Sequence, residues 1–138
     1  GSANHRKQAR DLGLKNVQFL DTASDVELIH KFLNTLDVYA HGRSDGEQCS
    51  SSIIEGLSHG LPMISHSAAS MGQVEQIGDA GEVVEGYEDY ADVMRKMIDD
   101  SDYYRQCVTN SNMRYNEIYN VESIINRFIE IYREVVDV

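Results

Sequence analysis

The sequence predicts an α/β fold: a Rossmann-like parallel sheet of about four strands flanked by helices, followed by a helical C-terminal tail. Three observations predict it. Short apolar or alternating runs at residues 16–20 (NVQFL), 38–41 (VYAH), 63–65 (MIS) and 81–84 (GEVV) are separated by stretches of helical periodicity. Cap and turn residues (Gly13, Asp25, Gly60, Pro62) fall at the seams. From Tyr87 onward the pattern is helical to the end. Strands that alternate with helices imply right-handed crossovers and a parallel sheet.

Each element has its own signal. Residues 4–12 are polar and helical, with Gly13 as the expected C-cap. Residues 16–20 alternate and read as a strand. Asp25 caps the next helix, which carries Leu28, Ile29, Phe32 and Leu33 on one face. After the strand at 38–41, Ile53, Ile54 and Leu57 mark a helix over 51–59, ended by Gly60. Pro62 launches the third strand. A loop of small residues, 66–72, leads to a short helical piece at 74–77 and the fourth strand. In the tail, Val93, Met97 and Ile98 mark one face. Val121, Ile124, Ile125, Phe128, Ile131, Tyr132, Val135 and Val136 then form a stripe of period 3.6, which is expected to be core. Doubly wound domains have roughly five or six strands. With four strands and a helix almost at residue 1, the chain is expected to be a single, partial domain that starts partway in.

Composition narrows the function classes. A chain of 138 residues suits one domain with a real core. Its formal charge of −11 argues against nucleic acid and anionic membrane as partners, since both select a basic footprint. No apolar run approaches the roughly 18 residues that a membrane span needs. Cys49 and Cys107 make neither a metal spacing nor a disulfide framework, which points to a reducing compartment. Asp99, Asp100 and Asp102 contain an Asp-x-Asp pattern, but at a helix junction they read as a turn and cap. No metal and no cofactor are predicted.

The chemistry concentrates in residues 43–55, RSDGEQCSSSIIE. Strand, polar loop and helix N-terminus place free amides and a positive dipole end at the carboxyl edge of the sheet, where open α/β folds bind ligands. Glu47 and Glu55 bracket the loop with seven residues between them. Each has a plainer reading: Glu55 as a helix-surface carboxylate, Glu47 as a charge favoured by the dipole, worth roughly 0.3–1 kcal/mol. Ser50, Ser51 and Ser52 read as capping chemistry, an anion cradle, or both. Cys49 is a pocket-lining small residue rather than an activated thiol. His41, at the strand end, reads equally as a ligand contact or as a satisfied, half-buried histidine.

Taken together these residues resemble the C-terminal, donor-binding domain of the GT-B-fold retaining glycosyltransferases, family 4 or group 1. The resemblance rests on NVQFLD, DVYAH, the Glu-x7-Glu pair, EGLSHGLPMI (similar to "EAMAxGxPVI") and SMGQVEQIGDAGEVVE (similar to "gGxxEx…G.lv"). It implies a nucleoside-diphosphate sugar as substrate and retaining transfer of a hexose to a hydroxyl acceptor. Glu55 would contact the ribose hydroxyls, and Glu47, as the catalytic-site carboxylate, the transferred sugar. The amides at Ser50, Ser51 and Ser52 would receive the diphosphate. Cys49 and Ser50 would line the sugar pocket, with Gly72 and Glu75 bordering it and residues 21–24 near the base. Reaction on the leaving-group face would need no protein nucleophile. The family often reads Glu-Gly-Phe-Gly where this chain has Glu47-Gln48-Cys49-Ser50. Its diphosphate-clamping Arg and Lys precede the matched stretch, which leaves Arg43 as the nearby cation.

The resemblance also implies a missing N-terminal GT-B domain that holds the acceptor, so the fragment alone should be inactive. Part of the C-terminal stripe would face that domain, and an unpaired sheet edge or this apolar face could support a dimer. Location would be cytoplasmic, with peripheral membrane attachment left to the missing domain. The alternative is a non-catalytic nucleotide-sugar-binding, regulatory or assembly module with a degenerate site. A glycosidase with Glu47 and Glu55 as its carboxylates fits poorly, and a receiver or phosphatase would need an acidic metal cluster.

Overall fold

A computed structural model describes residues 2–20, 22–42, 49–66 and 71–136. The chain divides into two compact units, Gly1–Phe32 and Leu33–Val138.

In the first unit, helix α1 (Ser2–Asp11) ends at Gly13, whose φ of 66° allows the Leu14 N–H to reach back to the Ala9 carbonyl at 3.0 Å. Helix α2 (Val26–Leu33) starts as predicted: the Asp25 carboxylate accepts from the amides of Glu27 (2.9 Å) and Leu28 (3.3 Å). Residues 16–20 do not form a strand. Alternation makes a two-faced ribbon, but a strand also needs a neighbour's ladder, and none is recorded among the described residues. Val17 and Leu20 are exposed, while Phe19 lies under the Arg6 guanidinium, 5.0 Å from the ring centre.

The second unit runs β1 (Tyr39–His41), α3 (Ser51–Ser58), β2 (Met63–His66), α4 (Met71–Ile77), β3 (Gly81–Val84), α5 (Tyr87–Asp99), α6 (Ser101–Arg114), a π-helical turn (Tyr115–Tyr119) and α7 (Val121–Val136). The described strands pair in the order β1-β2-β3, all parallel, with Tyr39 opposite Met63 and Met63 opposite Gly81. The predicted parallel α/β architecture is therefore present, with three described strands.

The pleat sorts the strand residues between two helical layers. On one face, Met63 packs under Gly56 of α3, where an added Cβ would lie 3.1 Å from the Met63 sulfur; Ser65 meets α4. On the other, Ile64 and Val84 form a buried cluster with Met97 of α5 and Cys107 of α6, joined by Val38, Tyr90, Val93, Tyr103 and Tyr104. Helix α3 ends in a Schellman turn: Gly60 has φ of 67°, its N–H bonds to the Leu57 carbonyl, and the Leu61 N–H bonds to that of Gly56. The Asp100 carboxylate caps α6 by accepting from the amides of Asp102 and Tyr103, which explains the acidic cluster at that junction.

The C-terminal stripe departs from expectation. Among its described residues α7 buries none, and Val121, Phe128 and Tyr132 are 71%, 57% and 67% exposed. A 3.6-residue period marks the side that prefers apolar contact, not whether this chain supplies that contact. No described helix is long and apolar enough to cross a membrane.

Candidate functional site

The site is built where β1 ends and α3 begins. The apolar run before His41 makes the strand. Ile53 and Leu57, both fully buried, hold Ser51–Ser58 as a helix against the sheet. The connectivity puts the first turn of α3 at the carboxyl edge of β1.

That turn is open in an unusual way. Ser50 occupies the N-cap position with extended backbone angles, yet its side chain makes no capping hydrogen bond. Its hydroxyl is instead 2.8 Å from that of Ser52. An N-cap serine ordinarily accepts from the second or third helical amide. Here that role is unfilled, so the amides of Ser51 and Ser52 have no intrahelical acceptor and, among the described residues, no capping side chain. No acidic side chain lies in the first turn to neutralise the dipole.

Ser50 itself is held from α4. The Gln76 Oε1 accepts from the Ser50 N–H at 2.8 Å, and the Gln76 Nε2 donates to the Ser50 carbonyl at 3.1 Å and to the Cys49 sulfur at 3.5 Å. Gln76 is 4% exposed and Ser50 1%, so the amide pair replaces water for both backbone groups. Without it, the buried Ser50 N–H would be left unpaired at about 1–3 kcal/mol, while the carbonyl would keep only the Ile54 N–H at 3.3 Å. One turn earlier Gln73, fully buried, accepts from the Ser65 hydroxyl at 2.5 Å, while its Nε2 has no partner among the described residues. The far end of α4 is capped by Arg114, whose guanidinium donates to the Gln76 carbonyl at 2.6 Å and to that of Glu75. Burial raises the pKa of the nearby Tyr119 phenol.

The strand end that feeds the loop is tethered from the opposite face. The Tyr90 hydroxyl donates to the His41 carbonyl at 2.6 Å and the Tyr87 hydroxyl to that of Gly42 at 3.3 Å. Burial, helped by neighbouring Tyr87, pushes the Tyr90 phenol up to about 12, so it remains a donor at neutral pH. His66, at the end of β2, lies against the Tyr87 ring with centroids 4.8 Å apart.

The predicted site residues are distributed as follows. Ser51, Ser52 and Glu55 come together on α3; Ser51 and Glu55 are one turn apart and both exposed. No hydrogen bond or ion pair to the Glu55 carboxylate is recorded among the described residues. Cys49 is exposed beside them. Ser50 is buried, with its N–H occupied by Gln76. His41 is buried at the end of β1, and Gly72 is half-buried in the first turn of α4. Glu47 and Arg43 lie outside the described residues, as does Asp21. Residues 22–24 belong to the first unit. Sequence reasoning missed Gln76, Tyr87, Tyr90 and Arg114, whose roles depend on partners far along the chain, and Gln73, whose partner Ser65 lies on the preceding strand.

Residues 1–114 match the family model described as "Glycosyl transferases group 1". The chain belongs to this family. No curated protein matches it significantly. Among solved structures, this chain is similar to HepE from Anabaena, solved in complex with UDP (TM-score 0.80, 21% identity, 96% of this chain and 36% of that one). It is similar to the C-terminal domain of the group 1 family protein LpcC from Francisella tularensis (TM-score 0.72, 17% identity, 87% and 63%). It is also similar to sucrose-phosphate synthase from Thermosynechococcus elongatus (TM-score 0.73, 17% identity, 99% and 35%). At these identities the likeness shows a shared fold, that of a GT-B C-terminal domain. This group 1 glycosyl transferase chain spans 36% of the length of HepE.

Proposed function

We propose that this domain binds the nucleoside diphosphate of a sugar donor at the first turn of α3, as the donor half of a retaining glycosyltransferase. The observation that carries the reading is the uncapped α3 N-terminus, with Glu55 one turn inside it, in a member of the group 1 family. Amides at a helix end suit a diphosphate even on a chain of charge −11, because they need no net positive charge. The Glu55 carboxylate can accept from two vicinal ribose hydroxyls. As the glycosidic bond breaks, charge grows on the leaving diphosphate, and fixed amide dipoles stabilise it there. Glu47 is assigned to the sugar hydroxyls, and no protein nucleophile is invoked. The transferred group is proposed to be a hexose and the acceptor a hydroxyl, held by an acceptor-binding domain that also covers the stripe on α7. The 138 residues alone should then bind donor with little or no transfer.

The test is calorimetry with UDP and UDP-glucose, the ligands of the HepE complexes, on wild type and Glu55→Ala. Binding that is lost in the variant is expected. Equal binding by both would remove Glu55 from the site. No binding by the folded chain or by its full-length parent would end the reading. A second reading, a binding module with a degenerate site, draws on Ser50: it stands where the family often has glycine, and Gln76 occupies its amide. Donor binding without transfer by the full-length parent would favour it.

A further inference from the structure

We propose that Gln76 is a positioning residue for the diphosphate site, one that fixes where the amides of Ser51 and Ser52 stand. The proposal rests on the function proposed above. A primary amide carries one acceptor and one donor side by side, and Gln76 presents both to the N–H and the carbonyl of a single residue. Leucine offers neither group. Glutamate, when ionised, offers only the acceptor. Asparagine is a methylene too short to reach from the same backbone. The clamped residue is the one whose carbonyl also receives the first helical bond of α3, from the Ile54 N–H at 3.3 Å. Fixing Ser50 therefore fixes the next two amides, which are the ones left open to a ligand.

The clamp is braced from behind. Arg114 holds the backbone carbonyl of Gln76 itself, so the side chain projects from a capped helix end. Arg114 is the last residue of α6, just before the π-helical turn Tyr115–Tyr119. Such turns re-aim side chains and recur at functional sites. The arrangement also sets a boundary: the Ser50 N–H is occupied, so anion contacts start at Ser51. Among the described residues, the titratable and charged groups around the clamp are Cys49 beside α3, Glu75 on α4, Arg114 at the end of α6 and Tyr119 in the π-helical turn.

Two measurements test this. In an NMR titration of the wild-type chain with UDP, the amide signals of Ser51 and Ser52 should move far more than that of Ser50. A Ser50 shift as large as theirs would overturn the proposal. In calorimetry, Gln76→Leu should weaken both UDP and inorganic pyrophosphate by about tenfold, the effect of one lost charge-assisted contact. Gln76→Glu serves where the leucine variant folds poorly, and it adds a signature that a purely structural role would not produce. Its carboxyl regains a donor only on protonation, and burial at this position raises that transition above the ordinary value of about 4.3, so its UDP affinity relative to wild type should recover as pH falls from about 8 toward about 5. A pH-independent ratio, or wild-type affinity in Gln76→Leu, would overturn the proposal alone. A wild-type full-length parent that binds neither UDP nor pyrophosphate would overturn the proposed function as well.

Discussion

The two faces of the sheet are built from different materials. Under α5 and α6, Ile64, Val84, Met97 and Cys107 interlock as an apolar cluster, and charge is confined to the rim, where Glu82 meets Lys96. Under α3 and α4, the packing starts apolar with Leu57, Met63 and Ile77. It then turns polar toward the carboxyl ends of the strands, where Ser50, Ser65, Gln73 and Gln76 are all buried. Burying an amide is costly unless it is paired, and one of these four, Gln73, has a nitrogen without a partner among the described residues. A core selected for stability alone would fill that space with aliphatic groups. The polar patch lies against the helix end that we assign to the donor, so in the proposed reading one face holds the fold while the other shapes the site.

The largest expected effect strikes both faces at once. Gly81 opens β3 directly opposite Met63, and a Cβ there would stand 1.8 Å from the Met63 carbonyl oxygen. No rotamer relieves a clash with backbone, so β2 and β3 must part. Gly81→Ala should cost about 4 kcal/mol or more, and thermal unfolding measured by circular dichroism would show it. A small shift in melting temperature would mean that β3 can slide, and that the two layers are less coupled than the pairing implies.

Next comes a substitution confined to the apolar face. Met97 is 3% exposed within the cluster. Met97→Ala should cost about 2–4 kcal/mol through lost burial and a residual cavity, while UDP affinity measured well below the melting temperature should stay as in wild type. Affinity falling in step with stability would erase the proposed division of labour.

The sequence revealed some of this and hid the rest for physical reasons. The stretch from β1 through α3 was legible because each signal is local: an apolar run, a serine cluster, then Ile53 and Leu57 at helical spacing. The caps at Gly13, Asp25 and Gly60 were legible for the same reason. Residues 16–20 misled because alternation says nothing about whether a ladder partner exists. The stripe on α7 was correctly read as one-sided, yet it is exposed. Gln73 and Gln76 were invisible because glutamine in a short helix reads as surface. Only Ser65 and Ser50, the latter 26 residues away, make them interior.

A smaller effect probes the polar face directly. Ser65→Ala leaves the Gln73 Oε1 without its donor, and should cost about 1–2 kcal/mol. Gln73→Leu removes the unpaired nitrogen but strands the Ser65 hydroxyl. Combined, the two substitutions remove the buried pair altogether, so the double variant should be close to wild type or more stable, and the cycle strongly non-additive. Urea titration of all four proteins measures it. Additive losses would mean that the pair is not an isolated unit. A double variant that is stable but binds UDP more weakly would show that the polarity serves the site.

The smallest effect belongs to the rim of the apolar face. The Tyr103 hydroxyl donates to Glu82 at 2.7 Å and the Lys96 ammonium lies 2.9 Å from the same oxygen; these hold the carboxyl below its ordinary value, the tyrosine bond first. A carboxylate whose pKa is lower in the folded state stabilises fully above its unfolded value, and that contribution is lost as pH falls through the folded one. The acid is 39% exposed, so solvent screening keeps the effect to about 1 kcal/mol or less. Glu82→Gln should therefore flatten the decline in urea midpoint between about pH 6 and about pH 3, with no change in UDP affinity at neutral pH. An unchanged acid decline would assign that pH dependence to other carboxylates. A changed affinity would mean that charge at the rim of one face reaches the site on the other.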